Sequence, residues 1–306
     1  MRGAACAAAS GKIAAIGLAA ARRPLIVYQY TCMARKVLPV NKWFEPMRRV
    51  SEGLSYTLEG SGQPIVLIHG VGADLGSWDA VCQDLSGDFS LLRMDLRGHG
   101  QSSRIGAPYS IEKFASDAIA VMDAAGIHKA HLAGFSLGGL IGQSLAIDWP
   151  DRFERIALIS AVAGRTAEER SRVTSRLGLI RENGIEAVTG AARDRWFSEN
   201  FVRANPQAIE RRITELLAND KDSYLEAYRV FGETELVDRL HEIRHRTLVM
   251  TGENDQGSNP RMAQTMKDKI PDAELKILPD LKHSVLVEAP HEISRHLRVF
   301  FKSRTG

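Results

Sequence analysis

Short runs of branched apolar residues recur along the chain, spaced so that a helix fits between most of them. Gly53–Leu58 alternates as a half-buried strand does, and Glu59-Gly60-Ser61-Gly62 supplies turn chemistry behind it. Ile65–Ile68 is continuously apolar and stops at His69-Gly70, which predicts a strand covered on both faces of a parallel sheet. Leu91–Leu96, Ala130–Phe135, Ile156–Ser160, Thr247–Thr251 and Leu275–Leu278 repeat that signature. Between them, Ser110 with Lys113 and Phe114 opens an amphipathic helix to about Ala125, Leu137–Ile147 reads as a second helix before Pro150, and the chain closes on an apolar-patterned helix. The alternation predicts an α/β fold, a mostly parallel central sheet flanked by helices.

The rhythm breaks once. From about Gly164 to Leu240 there is no strand-like run; the stretch is charged, starts a helix at Thr166, and carries Trp196, Phe197, Phe201, Tyr224, Tyr228 and Phe231. A stretch of this length is too long for a structureless loop, so residues 165–240 are expected to form a helical lid inserted into the α/β domain.

Charge changes the picture only at the N-terminus. Seven of the 40 basic residues and none of the 37 acidic ones lie in residues 1–44, which leaves the remainder with 33 basic against 37 acidic side chains, a net of −4. The pI near 8.8 therefore belongs to the leader, and nothing supports a nucleic-acid partner. Residues 1–46 are expected to be a basic, disordered leader and residues 47–306 the folded domain. Three readings of the leader stay open: a transit peptide, a weak signal-peptide core at Ile13–Ala21, or a translation start downstream at Met33 or Met47. The expected compartment is the cytoplasm. No apolar run reaches the roughly 18 residues of a membrane span, and Cys6, Cys32 and Cys82 follow no metal-ligand or disulfide spacing.

Gly134-Phe135-Ser136-Leu137-Gly138 matches G-x-S-x-G, where a strand turns sharply into a helix and lifts a serine above the sheet. The pattern alone is weak; its place after an apolar strand and before a helix makes it specific. A serine hydroxyl needs a base within hydrogen-bond reach, held in the right tautomer by an acid. Of nine histidines, His283 follows the last strand and so sits at the sheet edge that carries Ser136, whereas His128, His131, His241, His245, His291 and His296 flank strands or lie on the final helix. Asp255 ends the strand before it, with Glu253 as a rival. Ser136, Asp255 and His283 are the candidate catalytic residues, in the chain order this architecture requires. The loop His69-Gly70-Val71-Gly72 can offer the Val71 amide beside that of Leu137 as an oxyanion hole. The His69 side chain is expected to fix that loop, and Asp95 and Arg97 are expected to anchor the loop after their own strand.

With these residues in place, Ile65–Gly72 (IVLIHGVG), Arg93–Ser102 (RMDLRGHGQS), Gly134–Gly139 (GFSLGG), Thr251–Gln256 (TGENDQ) and Leu281–Pro290 (LKHSVLVEAP) resemble, in order and spacing, the α/β-hydrolase superfamily from about residue 50 to the C-terminus. Within it, the insertion and its flanks look most like 3-oxoadipate enol-lactonases, through Arg195-Trp196-Phe197, Val237–Leu240 and Val287–Pro290. C–C hydrolases of meta-cleavage products, small carboxylesterases and cofactor-free perhydrolases share most of these features, and the His69–Gly72 loop lacks the serine or asparagine of some enol-lactonases.

The resemblance implies a hydrolase of the α/β-hydrolase fold that cleaves an ester or lactone of a small molecule through an acyl-enzyme, without cofactor or metal. Arg195 is the candidate for a substrate carboxylate and Trp196 for an apolar wall. Two rivals stay open: hydrolysis of a C–C or amide bond, and a non-catalytic receptor that keeps the fold. No feature of the sequence encodes the oligomeric state.

Overall fold

The computed structural model describes residues 48–104 and 106–303; the expected leader, with Cys6 and Cys32, lies outside them. Eight strands form one sheet: β1 (Arg49–Ser51), β2 (Leu54–Gly60), β3 (Gln63–Ile68), β4 (Phe89–Met94), β5 (Ala130–Phe135), β6 (Phe153–Ile159), β7 (Arg246–Gly252) and β8 (Ala273–Leu278). Their order across the sheet is β1-β2-β4-β3-β5-β6-β7-β8. The β1–β2 and β2–β4 pairings are antiparallel, and the remaining pairings, from β4 across to β8, are parallel. The C-terminal ends of β3, β5, β6, β7 and β8 therefore open on one edge, where loops can converge without disturbing the ladders.

Helices cover both faces. α1 (Asp79–Leu85) follows β3, α2 (Ile111–Ala124) follows β4, and α3 (Leu137–Asp148) follows β5. Five helices fill the connection from β6 to β7: α4 (Ala167–Asn183), α5 (Thr189–Trp196), α6 (Glu199–Ala204), α7 (Pro206–Leu217) and α8 (Lys221–Glu233). α9 (Pro260–Lys269), the single turn α10 (Val285–Glu288) and α11 (Pro290–Lys302) complete the chain. α2, α3 and α9 bury Phe114, Val121, Leu140, Leu145 and Met262 against one face, and α1 and α11 bury Leu85, Leu297 and Phe301 against the other. A third cluster, with Ile180, Val188, Leu216 and Tyr224, is the insertion's own core.

The local signals act as their chemistry dictates. Ser110 accepts the Lys113 amide at the start of α2, and Thr166 with Glu169 forms a reciprocal capping box at the start of α4. Three expectations need correction. β8 is not covered on both faces: it is the edge strand of the sheet, and its Lys276 and Ile277 are exposed. β2 is not half-buried: Leu54 to Thr57 are all buried, because β1 and the loop after β4 cover the strand, with the Ser102 hydroxyl accepting the Ser55 amide at 2.9 Å. β4 begins and ends two residues earlier than its apolar run, since from Asp95 the chain turns away from the sheet to fold around that carboxylate. Among the described residues no helix is long and apolar enough to cross a membrane.

Candidate active site

The turn from β5 into α3 is held by glycine. Cβ atoms on Gly134 and Gly138 would sit 2.1 Å from the Gly138 carbonyl oxygen and 2.2 Å from that of Ile68, closer than any real contact. Between these glycines Ser136, the N-cap of α3, is held at φ 55° and ψ −114°, a conformation that costs on the order of 1–3 kcal/mol. Its amide donates to Ile159 O at 2.9 Å, and its side chain makes no cap hydrogen bond. The hydroxyl is thus available to another partner.

That partner is His283. Its Nε2 lies 3.2 Å from Ser136 Oγ, and its Nδ1 lies 2.7 Å from Asp255 Oδ2. The other oxygen of Asp255 accepts the amides of Gly257 and Ser258, both at 2.9 Å. Burial raises the pKa of this carboxyl group, but the charge and hydrogen bond of His283 and the two amides outweigh it and hold Asp255 below the usual carboxylate value. Glu253 is exposed, and its carboxylate accepts the Asp280 amide instead.

Val71 lines the cavity above Ser136, and Leu137 follows the serine as the first residue of α3. Among the described residues neither amide has a protein acceptor, and the N-terminus of α3 adds positive potential at the same point. His69 does not reach the cavity. Its Nδ1–H donates to Gly70 O at 2.7 Å and its Nε2 accepts the Leu96 amide at 3.0 Å, which fixes the neutral tautomer, and burial lowers its pKa accordingly. Asp95 accepts the Leu75 amide and Arg48, while Arg97 makes a two-pronged pair with Asp117 at 2.6 Å, so both hold loops.

The cavity is lined mainly by apolar and aromatic side chains with a few convergent polar groups, the make-up of a small-molecule site. The sheet edge contributes Val71, Ser136 and His283; the insertion contributes Val188, Arg195, Trp196, Tyr224, Tyr228 and Phe231. Arg195 and Trp196 thus share the cavity with the serine. Trp196 is already engaged, since Arg212 stacks on its ring at 4.6 Å and its carbonyl accepts the Ser284 amide at 2.9 Å.

Sequence reasoning missed three residues of this wall. Arg212 is buried and donates to Gly72 O at 2.8 Å, so the insertion grips the loop that carries Val71. Arg176, on the otherwise charged helix α4, turns its guanidinium onto the Tyr228 hydroxyl at the cavity. Ser258 is buried, lines the cavity beside Asp255, and has a hydroxyl without a partner among the described residues. Nothing in the sequence separates these side chains from ordinary surface positions. Among the described residues no three His, Cys, Asp or Glu side chains gather for a metal ion.

Comparisons with known proteins bear on the family and the fold. Residues 65–296 match the family described as Alpha/beta hydrolase family. The chain is similar to 3-oxoadipate enol-lactonase 2 of Acinetobacter baylyi, 27% identical over 267 residues, which cover 87% of the chain and 99% of the relative. It is also 27% identical, over 81% of its length and 94% of the relative's, to (E)-2-((N-methylformamido)methylene)succinate hydrolase of the same organism. Among solved structures, the enol-lactonase from Burkholderia xenovorans LB400 superposes with a TM-score of 0.79 at 27% identity, covering 84% of the chain and all of that structure.

Proposed function

The chain belongs to the alpha/beta hydrolase family, and from that premise we propose that it is a serine hydrolase that cleaves an ester or lactone of a small, carboxylate-bearing molecule through an acyl-enzyme. The observation that carries this reading is the hydrogen-bonded series Asp255–His283–Ser136, 2.7 and 3.2 Å, at the floor of the cavity. With Nδ1–H donated to Asp255, His283 presents Nε2 as the acceptor that faces Ser136 Oγ.

In this reading Ser136 Oγ attacks the substrate carbonyl carbon as its proton passes to His283 Nε2. Asp255 stabilises the imidazolium so formed. The carbonyl oxygen becomes an oxyanion between the Val71 and Leu137 amides, where fixed donors need no reorganisation. The bond to the leaving oxygen breaks, and that oxygen takes the proton back from His283; in a lactone it stays tethered to the acyl chain. A water molecule then loses its proton to His283 and attacks the acyl-enzyme, which releases the acid and restores Ser136. The helices of residues 165–240 act as a lid, with Trp196 and Phe231 against the apolar part of the substrate and Arg195 against its carboxylate.

The similarity to an enol-lactonase and to a hydrolase of a substituted succinate supports a substrate that carries an acid. The test is labelling by a fluorophosphonate probe together with turnover of p-nitrophenyl acetate. Labelling at Ser136 with turnover is expected, whereas neither would reduce the protein to a receptor on a hydrolase fold. An enol-lactone, an acylamino acid and a ring-fission dienoate then separate lactone, amide and C–C cleavage.

A further inference from the structure

The wall of the cavity away from Ser136 holds more positive charge than one carboxylate can balance. Three arginines line it, Arg176, Arg195 and Arg212, against a single carboxylate, Asp255, which is committed to His283. Arg212 is committed as well: it donates to Gly72 O, lies 3.8 Å from Glu215 and stacks on Trp196. Arg176 and Arg195 are different. Among the described residues neither has a carboxylate within 4.0 Å, although their own helices pair Arg172 with Glu168 and Arg193 with Asp194. Both are half-buried. Burial, and after it the like charge of Arg176, lower the pKa of Arg195, so the two guanidiniums feel each other across the cavity. Partly desolvated like charges without counter-ions are unfavourable unless a ligand supplies the anions. The Tyr228 hydroxyl accepts from Arg176 and lines the cavity, which leaves its own proton to donate to a ligand. Tyr224 stacks beside Tyr228 at 5.8 Å and stiffens that wall.

Resting on the hydrolase reading above, we infer that Arg176 and Arg195 form a paired-guanidinium subsite and that the substrate is a dianion, an ester or lactone whose acyl portion carries two carboxylates. Each guanidinium takes one carboxylate, Tyr228 adds a donor to the one at Arg176, and the apolar side chains of Val188, Ala192 and Phe231 flank the carbon chain between. A monoanion would leave one half-buried guanidinium unbalanced in the cavity wall.

Calorimetric titration of the full chain with glutarate and adipate, against valerate and hexanoate of matching length, tests this directly. The better dicarboxylate is expected to bind at least tenfold more tightly than its monocarboxylate, the effect of one further charge-assisted pair. In Arg176→Gln and in Arg195→Gln the preference should fall below threefold with an unchanged thermal melt, and Arg176→Lys should keep part of it. A wild-type preference below threefold would overturn the dianion, and a preference that survives both glutamine variants would overturn its assignment to these arginines. Turnover of p-nitrophenyl acetate by the wild type reports separately on the hydrolase reading: turnover without the preference sinks the dianion alone, and the preference without turnover sinks the hydrolase alone.

Discussion

Replacing Asp255 by asparagine tests the proposed triad through a proton rather than through a shape. The two carboxylate oxygens face different partners. Oδ1 accepts two backbone amides, from Gly257 and Ser258 at 2.9 Å each, and Oδ2 accepts His283 Nδ1–H at 2.7 Å. An asparagine has one oxygen and one NH2 to distribute over these places. The oxygen must stay with the two N–H donors, because an NH2 group there would set donor against donor twice. The NH2 group then faces His283 and demands an acceptor at Nδ1, so the imidazole proton moves to Nε2, where it points at Ser136 and cannot receive the serine proton. A loss of about 10⁴-fold in kcat follows, on the scale known for the wrong tautomer in serine hydrolases, or about 5.5 kcal/mol of barrier. The fold should survive, since asparagine keeps the volume and the contact with both amides. The assay is kcat for p-nitrophenyl acetate, with nitrogen NMR of His283 to read which ring nitrogen carries the proton. Glu253→Gln is the control, expected within threefold of wild type. A loss below tenfold in Asp255→Asn, or an NMR spectrum with the proton still on Nδ1, would refute the reasoning.

Ser136→Ala and His283→Ala should each lower kcat by about 10⁴-fold or more, and the double variant should be hardly worse, because the two groups act as one unit; additive losses measured in the double variant would count against the triad. Arg195→Ala should lower the ratio of kcat/KM for a carboxylate-bearing lactone to that for a neutral ester by ten- to hundredfold, and an unchanged ratio would mean that the arginine only packs. His131 is buried flat against Phe301 at 4.6 Å with neither ring nitrogen partnered among the described residues, and burial, helped by the charge of Arg155, lowers its pKa to about 4. The unfolded chain takes up this proton near pH 6.5, so the stability is complete above that value and falls by roughly 2–3 kcal/mol as pH drops towards 4. His131→Phe should flatten that part of the acid limb in urea titrations from pH 7 to 4, and an unchanged slope would show that His131 does not drive it.

The parts that were legible in the sequence are those where local chemistry and global position coincide. Ile65–Ile68 is apolar, and Ala130–Phe135 apolar but for His131, because the sheet is covered on both faces there, and β5 matches the predicted strand residue for residue. Ser136, Asp255 and His283 could be picked out because each follows a strand, and parallel strands bring such positions to one edge. The rest depended on distant contacts. β1 has three residues, two of them exposed, too few to show a period. The buried polar side of β2 reflects a loop that returns from residue 95 onward. Arg176 stands on α4 among Arg170, Arg172 and Arg181, and only the packing of α4 against α8 singles it out. Ser258 is one more polar residue in a loop until its amide is seen on Asp255.

The insertion is tied to both halves of the sheet edge that carries the proposed triad, and this shapes how its substitutions should read. Arg212 and Asn219 donate to Gly72 O at 2.8 and 3.3 Å, on the loop that offers the Val71 amide. On the opposite side Trp196 O accepts the Ser284 amide at 2.9 Å, Lys282 donates to Asp194 O at 2.7 Å, and Ser198 bonds the Glu288 carboxylate through its amide and its hydroxyl. His283 therefore lies between two residues that are both fastened to α5. A flap that moved freely would affect only how substrate enters and would change KM. In the proposed mechanism these bonds instead couple the insertion to the orientation of His283 as base and of the Val71 amide as oxyanion donor, which matter most once charge has developed in the transition state. A substitution that loosens the Arg212 or Trp196 attachment should accordingly lower kcat as well as raise KM, even for a substrate too small to touch either side chain.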